Sequence, residues 1–493
     1  MKIGFDNAEY LRRQSEKILE RIQGFSKLYL EFGGKLFDDY HAARVLPGFE
    51  MNVKVRLLQT LKDKTEIIFC INASDIERNK IRADLGITYD LDLLRLIDSL
   101  RSLSLTVSSI VITQFTDQPA AAVFANKLKM RGEKVYLHRP TAGYPTDVDT
   151  IVSDQGYGMN PYIETSRPLV VVTAPGPGSG KLGTCLSQLY HEYKRGNKAG
   201  YAKFETFPIW NIPLKHPVNL AYEAATADLK DCNMIDPFHL EAYGVTTVNY
   251  NRDIEIFPVV KRILEKITGT ESIYRSPTDM GVNMAGYCIF DDEAVREAAK
   301  AEIIRRYFKI CCDYKLGRVD QEAALRVELL MKEIGLKPED RKAVPAALEK
   351  AEQTGTPSMA LELPDGRIVT GKTTMLLNAG AALILNAVKA HCGIPDEVLL
   401  LSPEILTPIL KLKMNILGER ESVLGAEEVL LALSICAATD QRAERAMNAL
   451  SALRDCEAHS SCMLHPADER VFRKLGVRMT CEAVFFSDRL YMD

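Results

Sequence analysis

Several features that would assign this sequence to a special class of protein are missing from it. No apolar run approaches the ~20 residues that a membrane-spanning helix needs. The first stretch, MKIGFDNAEYLRRQSEKILERIQG, carries acidic residues and a helical pattern where a signal peptide needs an uninterrupted apolar core. The formal net charge is only -4 with both signs interspersed, so there is no basic stripe for nucleic acid or for anionic lipid. We therefore predict a cytoplasmic protein with neither a nucleic-acid nor a membrane partner.

The cysteines lack the spacing of a disulfide framework or a zinc site. There are 11 of them, an odd number, scattered along the chain and never in a Cys-x-x-Cys pair. This usage is typical of reduced thiols in the cytosol. No set of residues is predicted to bind a metal by itself.

Short β-branched or aromatic runs alternate with helical patterns over residues 1–290. The predicted strands are KLYLEF, TEIIFCI, SSIVITQF, EKVYLH, RPLVVVTA and GYAKFETF. This alternation favours a parallel sheet layered with helices, in which ligands bind at the carboxyl ends of the strands. We predict an α/β fold with a P-loop-like, phosphate- or nucleotide-binding domain over this range.

Two further parts follow in the chain. Residues 291–352 have a nearly pure helical pattern, with apolar residues three and four apart, which predicts a helical subdomain. Residues 353–493 contain a strand, a turn at Asp365-Gly366, a second strand and several helices, which predict a smaller C-terminal α/β domain.

The second strand of that hairpin continues as GKTTMLL. We predict that Thr373 or Thr374 caps the following helix. Gly371 and Lys372 would then offer an anion site at the start of the helix, and an ordinary capped helix is the alternative.

The stretch VVVTAPGPGSGKLGT has the pattern of a strand, a glycine-rich turn and a helix start. Glycines let consecutive N–H groups converge on an anion, the helix adds its positive end, and a lysine neutralises phosphates. The pattern predicts a loop that binds ATP or GTP; a structural glycine-rich turn is the alternative. The predicted ligand-binding residues are Gly176, Gly178, Ser179, Gly180, Lys181 and Thr184.

This loop departs from the phosphate-loop pattern G-x-x-x-x-G-K-[ST] at two of its fixed positions. Pro175 stands at the first glycine position, and Leu182 stands where the hydroxyl should follow the lysine. In phosphate-loop enzymes that hydroxyl holds Mg²⁺. Ser179 or Thr184 could replace it in part, so Mg²⁺ stays an expected cofactor without an identified protein ligand.

Polar side chains after other predicted strands are candidates for the chemistry. Lys203, Glu205 and Thr206 lie at the end of the predicted strand GYAKFETF, and a parallel sheet places this strand end beside the loop. For the acidic partner of a nucleotide site, Asp253 and Asp291 are the best candidates. The predicted catalytic residues are Lys181, Glu205, His216 and Asp279.

Each of these candidates has a plainer interpretation. His216 could be a capping or satisfied structural histidine. The loop SPTDMGVN around Asp279 could be a simple connection instead of a substrate-binding loop. The segment Gly33-Gly34-Lys35, with Asp38 and Asp39 nearby, could face a second anion or form only a tight turn.

Long strings of the sequence resemble a bacterial family of conserved proteins of similar length. They include EFGGKLFDDYHAARVLPGFE, FCINASDIERNKIRADLGITYD, RPLVVVTAPGPGSGKLGTCLSQLYHEYKRG and SPTDMGVNMAGYCI, and the resemblance covers essentially the whole chain. It implies a P-loop-like α/β N-terminal part and a separate C-terminal domain. It brings no catalytic residues with it.

Three functions are compatible with these patterns. The first is an ATP- or GTP-dependent phosphotransferase or ligase that acts on a small metabolite. The second is a non-catalytic nucleotide or phosphate sensor or scaffold, which Leu182 in place of the hydroxyl favours. The third is an enzyme that needs no nucleotide and uses the loop for a phosphorylated substrate. A homo-oligomer is expected on general grounds.

Overall fold

The computed structural model describes residues 2–82, 85–419 and 422–487. The chain divides into two compact units, residues 1–223 with 231–299 and residues 224–230 with 300–493. The helical stretch that we predicted as a separate subdomain therefore groups, from Lys300 onward, with the C-terminal unit.

A parallel sheet forms the centre of the first unit. The strands of this unit are β1 (Lys27–Phe32), β2 (Thr65–Asn72), β3 (Ile81–Arg82), β4 (Ile87–Thr88), β5 (Thr106–Thr113), β6 (Val135–Leu137), β7 (Leu169–Thr173), β8 (Ala199–Phe204), β9 (Asn233–Ile235), β10 (Val248–Tyr250) and β11 (Gly281–Val282). Seven of them form one sheet in the order β11-β8-β1-β7-β2-β5-β6, with every neighbouring pair parallel. The others form two short antiparallel hairpins, β3-β4 and β9-β10.

The predicted α/β class is confirmed, and each of the six predicted strands exists. β7 is buried along its whole length, as expected of a central parallel strand with helices on both faces. The strands that the sequence did not reveal are β11 and the two hairpins. They are two or three residues long and carry no apolar run, so no periodicity marks them.

Helices surround this sheet. Those that begin in the first unit are α1 (Asn7–Gln23), α2 (Tyr40–Val45), α3 (Val53–Thr60), α4 (Ala73–Glu77), α5 (Tyr89–Ser102), α6 (Pro119–Met130), α7 (Val148–Ile151), α8 (Lys181–Lys194), α9 (Pro217–Ala225), α10 (Pro237–Tyr243), α11 (Asn251–Thr268), α12 (Pro277–Met280) and α13 (Asp292–Lys315). Among the helices of the described residues, none has both the length and the apolar character needed to cross a bilayer.

The two faces of the sheet bury different sets of helices. On one face, α1, α3, α5 and α6 pack on β-strand residues such as Leu30, Phe69 and Val171. On the other face, α8 and α11 pack on Tyr29, Cys70 and neighbouring residues. The alternation of strand side chains between these faces decides which residues lie beneath α8.

The carboxyl ends of the seven parallel strands lie at one edge of the sheet. β1 lies between the central strand β7 and β8. Its residue Glu31 is in register with Val172 of β7 and with Lys203 of β8. The loops that follow these three strands are therefore neighbours.

The second unit contains a smaller mixed sheet. Its elements are the helices α14 (Gln321–Glu333), α15 (Ala343–Thr354), α16 (Ala379–Cys392), α17 (Pro403–Lys411), α18 (Ala426–Cys436), α19 (Gln441–Asn448) and α20 (Pro466–Leu475), and the strands β12 (Ser358–Glu362), β13 (Ile368–Lys372), β14 (Glu457–Ser460) and β15 (Arg478–Cys481). The strand order is β13-β12-β14-β15, and β12 and β13 form the predicted hairpin.

The predicted start of the helix after this hairpin is wrong. Asn378 caps α16, and its side-chain oxygen accepts a hydrogen bond from the N–H of Ala381 at 2.8 Å. The hydroxyl of Thr374 instead accepts hydrogen bonds from the N–H groups of Leu376 and Leu377, which closes a turn before the helix. Gly371 and Lys372 lie in β13, so they do not form an anion site at a helix start.

Candidate phosphate-binding site

The glycine-rich loop joins the central strand β7 to helix α8. The strand ends at Thr173, Gly180 is the N-cap, and the helix begins at Lys181. Gly178 and Gly180 both adopt left-handed backbone conformations, with φ of 71° and 80°. L-residues with side chains rarely adopt this conformation, and left-handed residues are part of the backbone nests that bind anions.

Two side chains from neighbouring strands hold the loop. Asn72, at the end of β2, donates from Nδ2 to the carbonyl oxygen of Gly178 at 3.0 Å. Thr113, at the end of β5, donates from Oγ1 to the carbonyl oxygen of Ser179 at 2.7 Å. Both loop carbonyls therefore point towards these two strands.

The direction of these carbonyls determines the direction of the amides. In a trans peptide the C=O and N–H bonds point in opposite directions, so the N–H groups of Ser179 and Gly180 point away from Asn72 and Thr113. Within the described residues, no protein acceptor takes a hydrogen bond from the N–H of Ser179, Gly180 or Lys181. The loop presents consecutive backbone donors at the head of a helix.

Close contacts explain two of the glycines. A Cβ atom on Gly180 would lie 2.9 Å from Thr113, and one on Gly176 would lie 2.5 Å from the ring of Tyr89. A Cβ atom on Gly178 would meet no atom within 4 Å, so its backbone conformation alone favours glycine there.

The hydroxyls of the loop region differ in their surroundings. Ser179 is 3% exposed, and its hydroxyl has no hydrogen-bond partner among the described residues. Thr184 is buried in the first turn of α8, where its hydroxyl accepts a hydrogen bond from Cys70 Sγ at 3.4 Å. Leu182, at the usual hydroxyl position, packs against the core. Ser179 is therefore the better candidate for the missing hydroxyl.

The charge of Lys181 acts on the same buried thiols as that of Glu31, a carboxylate that the sequence analysis did not select. Burial raises the pKa of the Cys70 thiol to about 12, while the charge of Lys181 lowers this pKa and that of Glu31 raises it. The same two charges act on the pKa of the buried Cys185. These two thiols belong to the core on the face of the sheet that α8 covers.

A cluster of charged side chains continues from Glu31 across β8. Lys203 Nζ forms an ion pair with Glu205 Oε1 at 2.6 Å and a second one with Asp253 in the first turn of α11. Tyr201 donates from Oη to Glu31 Oε2 at 2.8 Å. The predicted neighbours Lys203 and Glu205, and the candidate Asp253, are together at this edge of the sheet.

Glu205 is the residue of this cluster with the most altered acidity. It is 4% exposed, and burial raises its pKa to about 7, against the lowering effect of Lys203 and with a further increase from Asp253. The Lys203 pKa is raised because the charges of Asp253, Glu205 and Glu31 outweigh its burial. A carboxyl group that titrates near neutral pH is suited to proton transfer.

Two predicted catalytic residues, His216 and Asp279, have well-defined structural roles. His216 is buried, its Nε2 lies 2.9 Å from Asp292 Oδ1, and its Nδ1 accepts a hydrogen bond from the N–H of Val218. Burial lowers its pKa. These contacts account for the side chain as a cap ahead of α9.

Asp279 is the second. It forms a capping box with Ser276 at the start of α12 and accepts further hydrogen bonds from the N–H of Arg275 and from Tyr243 Oη, each at 2.9 Å. Asp291, the other acidic candidate, pairs with Lys2 at 2.8 Å. None of these contacts joins Asp279 or Asp291 to the glycine-rich loop.

Glu31, Asn72 and Thr113 could have been recognised only in part from the sequence. A glutamate in the run KLYLEF is unusual, and strand alternation places it on the same face as Tyr29. The contacts of Asn72 and Thr113 depend on the spatial order of β2, β5 and β7, which the chain order does not reveal. Within the described part of the chain, no group of three or more His, Cys, Asp or Glu side chains is arranged to hold a metal ion.

The raised pKa of Glu205 predicts a pH-dependent stability. The usual pKa is 4.5, so between pH 4.5 and about 7 the folded chain keeps a proton that the unfolded chain releases. The free energy of unfolding should therefore fall as the pH rises through this range, by at most about 3 kcal/mol. In Glu205→Gln this decrease should be absent, as measured by urea denaturation at several pH values.

Glu164→Gln, at an exposed position, is the control for this comparison. If the free energy of unfolding of the parent protein and of Glu205→Gln changes with pH in the same way, Glu205 does not have a raised pKa.

The comparisons with known proteins agree on one family. The profile described as "Domain of unknown function DUF1846, N-terminal" matches residues 3–335, and the corresponding C-terminal profile matches residues 339–491. UPF0371 proteins of Clostridium botulinum strains Langeland and Okra are each 61% identical over 499 residues, covering 100% of this chain and 99% of the relative. The protein of strain Alaska E43 is 60% identical with the same coverage. The chain therefore belongs to the DUF1846 family of conserved bacterial proteins.

Proposed function

We propose that this protein binds the phosphates of ATP or GTP at the loop between β7 and α8 and acts as a phosphotransferase or ligase on a small metabolite. The observation that supports the proposal most directly is the orientation of the Ser179 and Gly180 amides by Thr113 and Asn72. Backbone donors that have no acceptor in the described part of the chain, at the positive end of a 14-residue helix, are suited to a phosphate.

The side chains around the loop supply the remaining parts of such a reaction. Lys181 would neutralise the outer phosphates, as the lysine of a phosphate loop does. Glu205 would take the proton of the attacking acceptor hydroxyl, since its pKa is close to neutral pH. Phosphoryl transfer depends mostly on positioning and charge neutralisation, and this edge of the sheet provides both.

The residues present also fit a Mg²⁺ ion that accompanies the nucleotide. The buried Ser179 hydroxyl, which has no hydrogen-bond partner among the described residues, would be one oxygen ligand. Glu31, in register with Val172 of β7, would offer a carboxylate oxygen from the neighbouring strand. Mg²⁺ commonly takes one or two protein oxygens and leaves the rest to phosphates and water. A site of this kind needs no larger group of protein ligands.

A phosphotransferase and a ligase would use the same loop. In the first, an acceptor hydroxyl loses its proton to Glu205 and attacks the terminal phosphorus, whose bond to the bridging oxygen breaks to release ADP or GDP. In the second, a carboxylate makes the same attack with the same leaving group and forms an acyl phosphate. A carboxylate nucleophile has no proton to give up, so a strong dependence of turnover on Glu205 favours the phosphotransferase.

A second candidate function keeps the loop as a phosphate site but removes the turnover of a nucleotide. Leu182 packs on the core at the position where phosphate-loop enzymes carry their Mg²⁺-binding hydroxyl. This observation favours a sensor that binds without turnover, or an enzyme whose substrate carries the phosphate. Both would respond to the same loop variants as the nucleotide-dependent enzyme.

We also propose a cytoplasmic location and a closed homo-oligomer. All 11 cysteines are free thiols, which suits a reducing compartment. The oligomer rests on the general frequency of closed symmetry among soluble proteins.

The binding proposal predicts a specific pattern in a thermal-shift screen of nucleotides and phosphorylated metabolites. A ligand that raises the unfolding temperature of the parent should have at least a tenfold weaker apparent affinity for Lys181→Ala, because a charge-assisted contact to phosphate is lost. Lys194→Ala, at the other end of α8, is the matched control and should respond like the parent. Equal stabilisation of all three proteins by the same ligand would place its site elsewhere.

The catalytic proposal predicts that Glu205→Gln separates binding from turnover. Turnover of ATP or GTP with Mg²⁺ and a mixture of acceptors should fall by about 10²- to 10⁴-fold, the usual loss for a general base, while nucleotide affinity stays within a few-fold of the parent. Binding without turnover in the parent protein itself, with every acceptor tested, would support the sensor instead.

A further inference from the structure

A second glycine loop follows β1, the strand that lies between β7 and β8 in the sheet. It runs from Gly33 to Asp39, at the same edge as the phosphate-binding loop. The proposed function uses the residues after β7 and β8 and leaves this loop without a role. Its most unusual feature is the lysine that lies against it.

Lys54 is 2% exposed, which is rare for a lysine. Its Nζ forms an ion pair with Asp39 Oδ2 at 2.8 Å, and this is its one hydrogen-bond acceptor among the described residues. An ammonium group has three N–H donors. Two of its donors therefore have no hydrogen-bond acceptor among the described residues, and Nζ lies 6.0 Å from the centroid of the Phe204 ring.

Gly34 is where the ammonium meets the loop. This residue has a left-handed backbone with φ of 69°, and a Cβ atom on it would lie 3.0 Å from Lys54 Nζ. In the described residues, no protein acceptor takes a hydrogen bond from the N–H of Gly34, Leu36 or Phe37. The buried ammonium group of Lys54, on α3, thus lies beside a short segment whose backbone N–H groups have no such acceptor.

The loop is also in contact with the proposed general base. The N–H of Gly33 donates to the carbonyl oxygen of Phe204 at 2.9 Å, and a Cβ atom on Gly33 would lie 3.9 Å from Glu205 Cγ. A molecule held by this loop would therefore lie beside Glu205.

We propose that the segment Gly33–Asp39, together with Lys54, is a second anion site that binds a phosphate or carboxylate group of the acceptor. The inference rests on the proposed function, in which the first loop holds the phosphates of the donor. An anionic acceptor anchored here presents its hydroxyl group to Glu205. The substrate class is then a small metabolite that carries both an anionic group and a hydroxyl.

Inorganic phosphate tests this assignment, because each loop should bind it separately. The measurement is the rise in unfolding temperature with phosphate concentration at constant ionic strength, for the parent, Lys181→Ala, Gly34→Ala and the double variant. Each single variant should lose the stabilisation that comes from its altered site, where the affinity for phosphate should be at least tenfold weaker. The double variant should lose the stabilisation from both sites. A parallel titration with acetate distinguishes a phosphate site from a carboxylate site.

Gly132→Ala is the matched control for Gly34→Ala. Gly132 has a similar backbone, with φ of 84°, but a Cβ atom on it would meet no atom within 4 Å. It carries the same backbone strain without displacing Lys54, so it should keep the full phosphate response. If Gly34→Ala does not fold, the combined variant Asp39→Asn, Lys54→Met removes the ion pair without leaving an unpaired charge.

The outcomes separate the two proposals. If Lys181→Ala abolishes the whole response and Gly34→Ala behaves like Gly132→Ala, the second site is overturned and the first loop stands. If Gly34→Ala weakens the response and Lys181→Ala does not, the second site stands and the proposed nucleotide loop is overturned. A full response in the double variant overturns both.

Discussion

Two hydrogen bonds from strand ends to loop carbonyls control the region on which the proposed function depends. Thr113 and Asn72 hold the carbonyls of Ser179 and Gly178, and the planarity of the peptide bond then directs two N–H groups the other way. A glycine-rich turn alone does not have a preferred direction for its amides. The sheet order, which places β2 and then β5 beside β7, provides that direction.

The same edge of the sheet explains why a carboxyl group there has a pKa near neutral pH. Glu31, Lys203, Glu205 and Asp253 lie on neighbouring elements, and one lysine serves as the ion-pair partner of two of the carboxylates. Burial then favours the neutral form of Glu205. The glycine-rich loop and a carboxyl group that titrates near neutral pH therefore follow β7 and β8, two strands of one sheet that are separated only by β1.

Local sequence predicted the strands and the loop, and it failed where spatial order decides. The apolar run RPLVVVTA predicted β7. The glycines that follow it, together with Lys181, predicted the loop. The partners of that loop, Asn72 and Thr113, lie 106 and 66 residues away in sequence, so no local pattern reveals them. Thr374 shows a second limit of local prediction. Its hydroxyl is suited to capping a helix, but it accepts a hydrogen bond within a turn, and Asn378 caps the helix instead.

The most direct test of the central claim is the amide NMR signal of the loop itself. In a sample selectively labelled with ¹⁵N-serine and ¹⁵N-glycine, titration with ATP should move the Ser179 and Gly180 amide resonances strongly downfield, because these N–H groups gain hydrogen bonds to phosphate oxygens. The signal of Gly132, away from the loop, should stay in place. Saturable binding of ATP with unmoved Ser179 and Gly180 resonances would contradict the account.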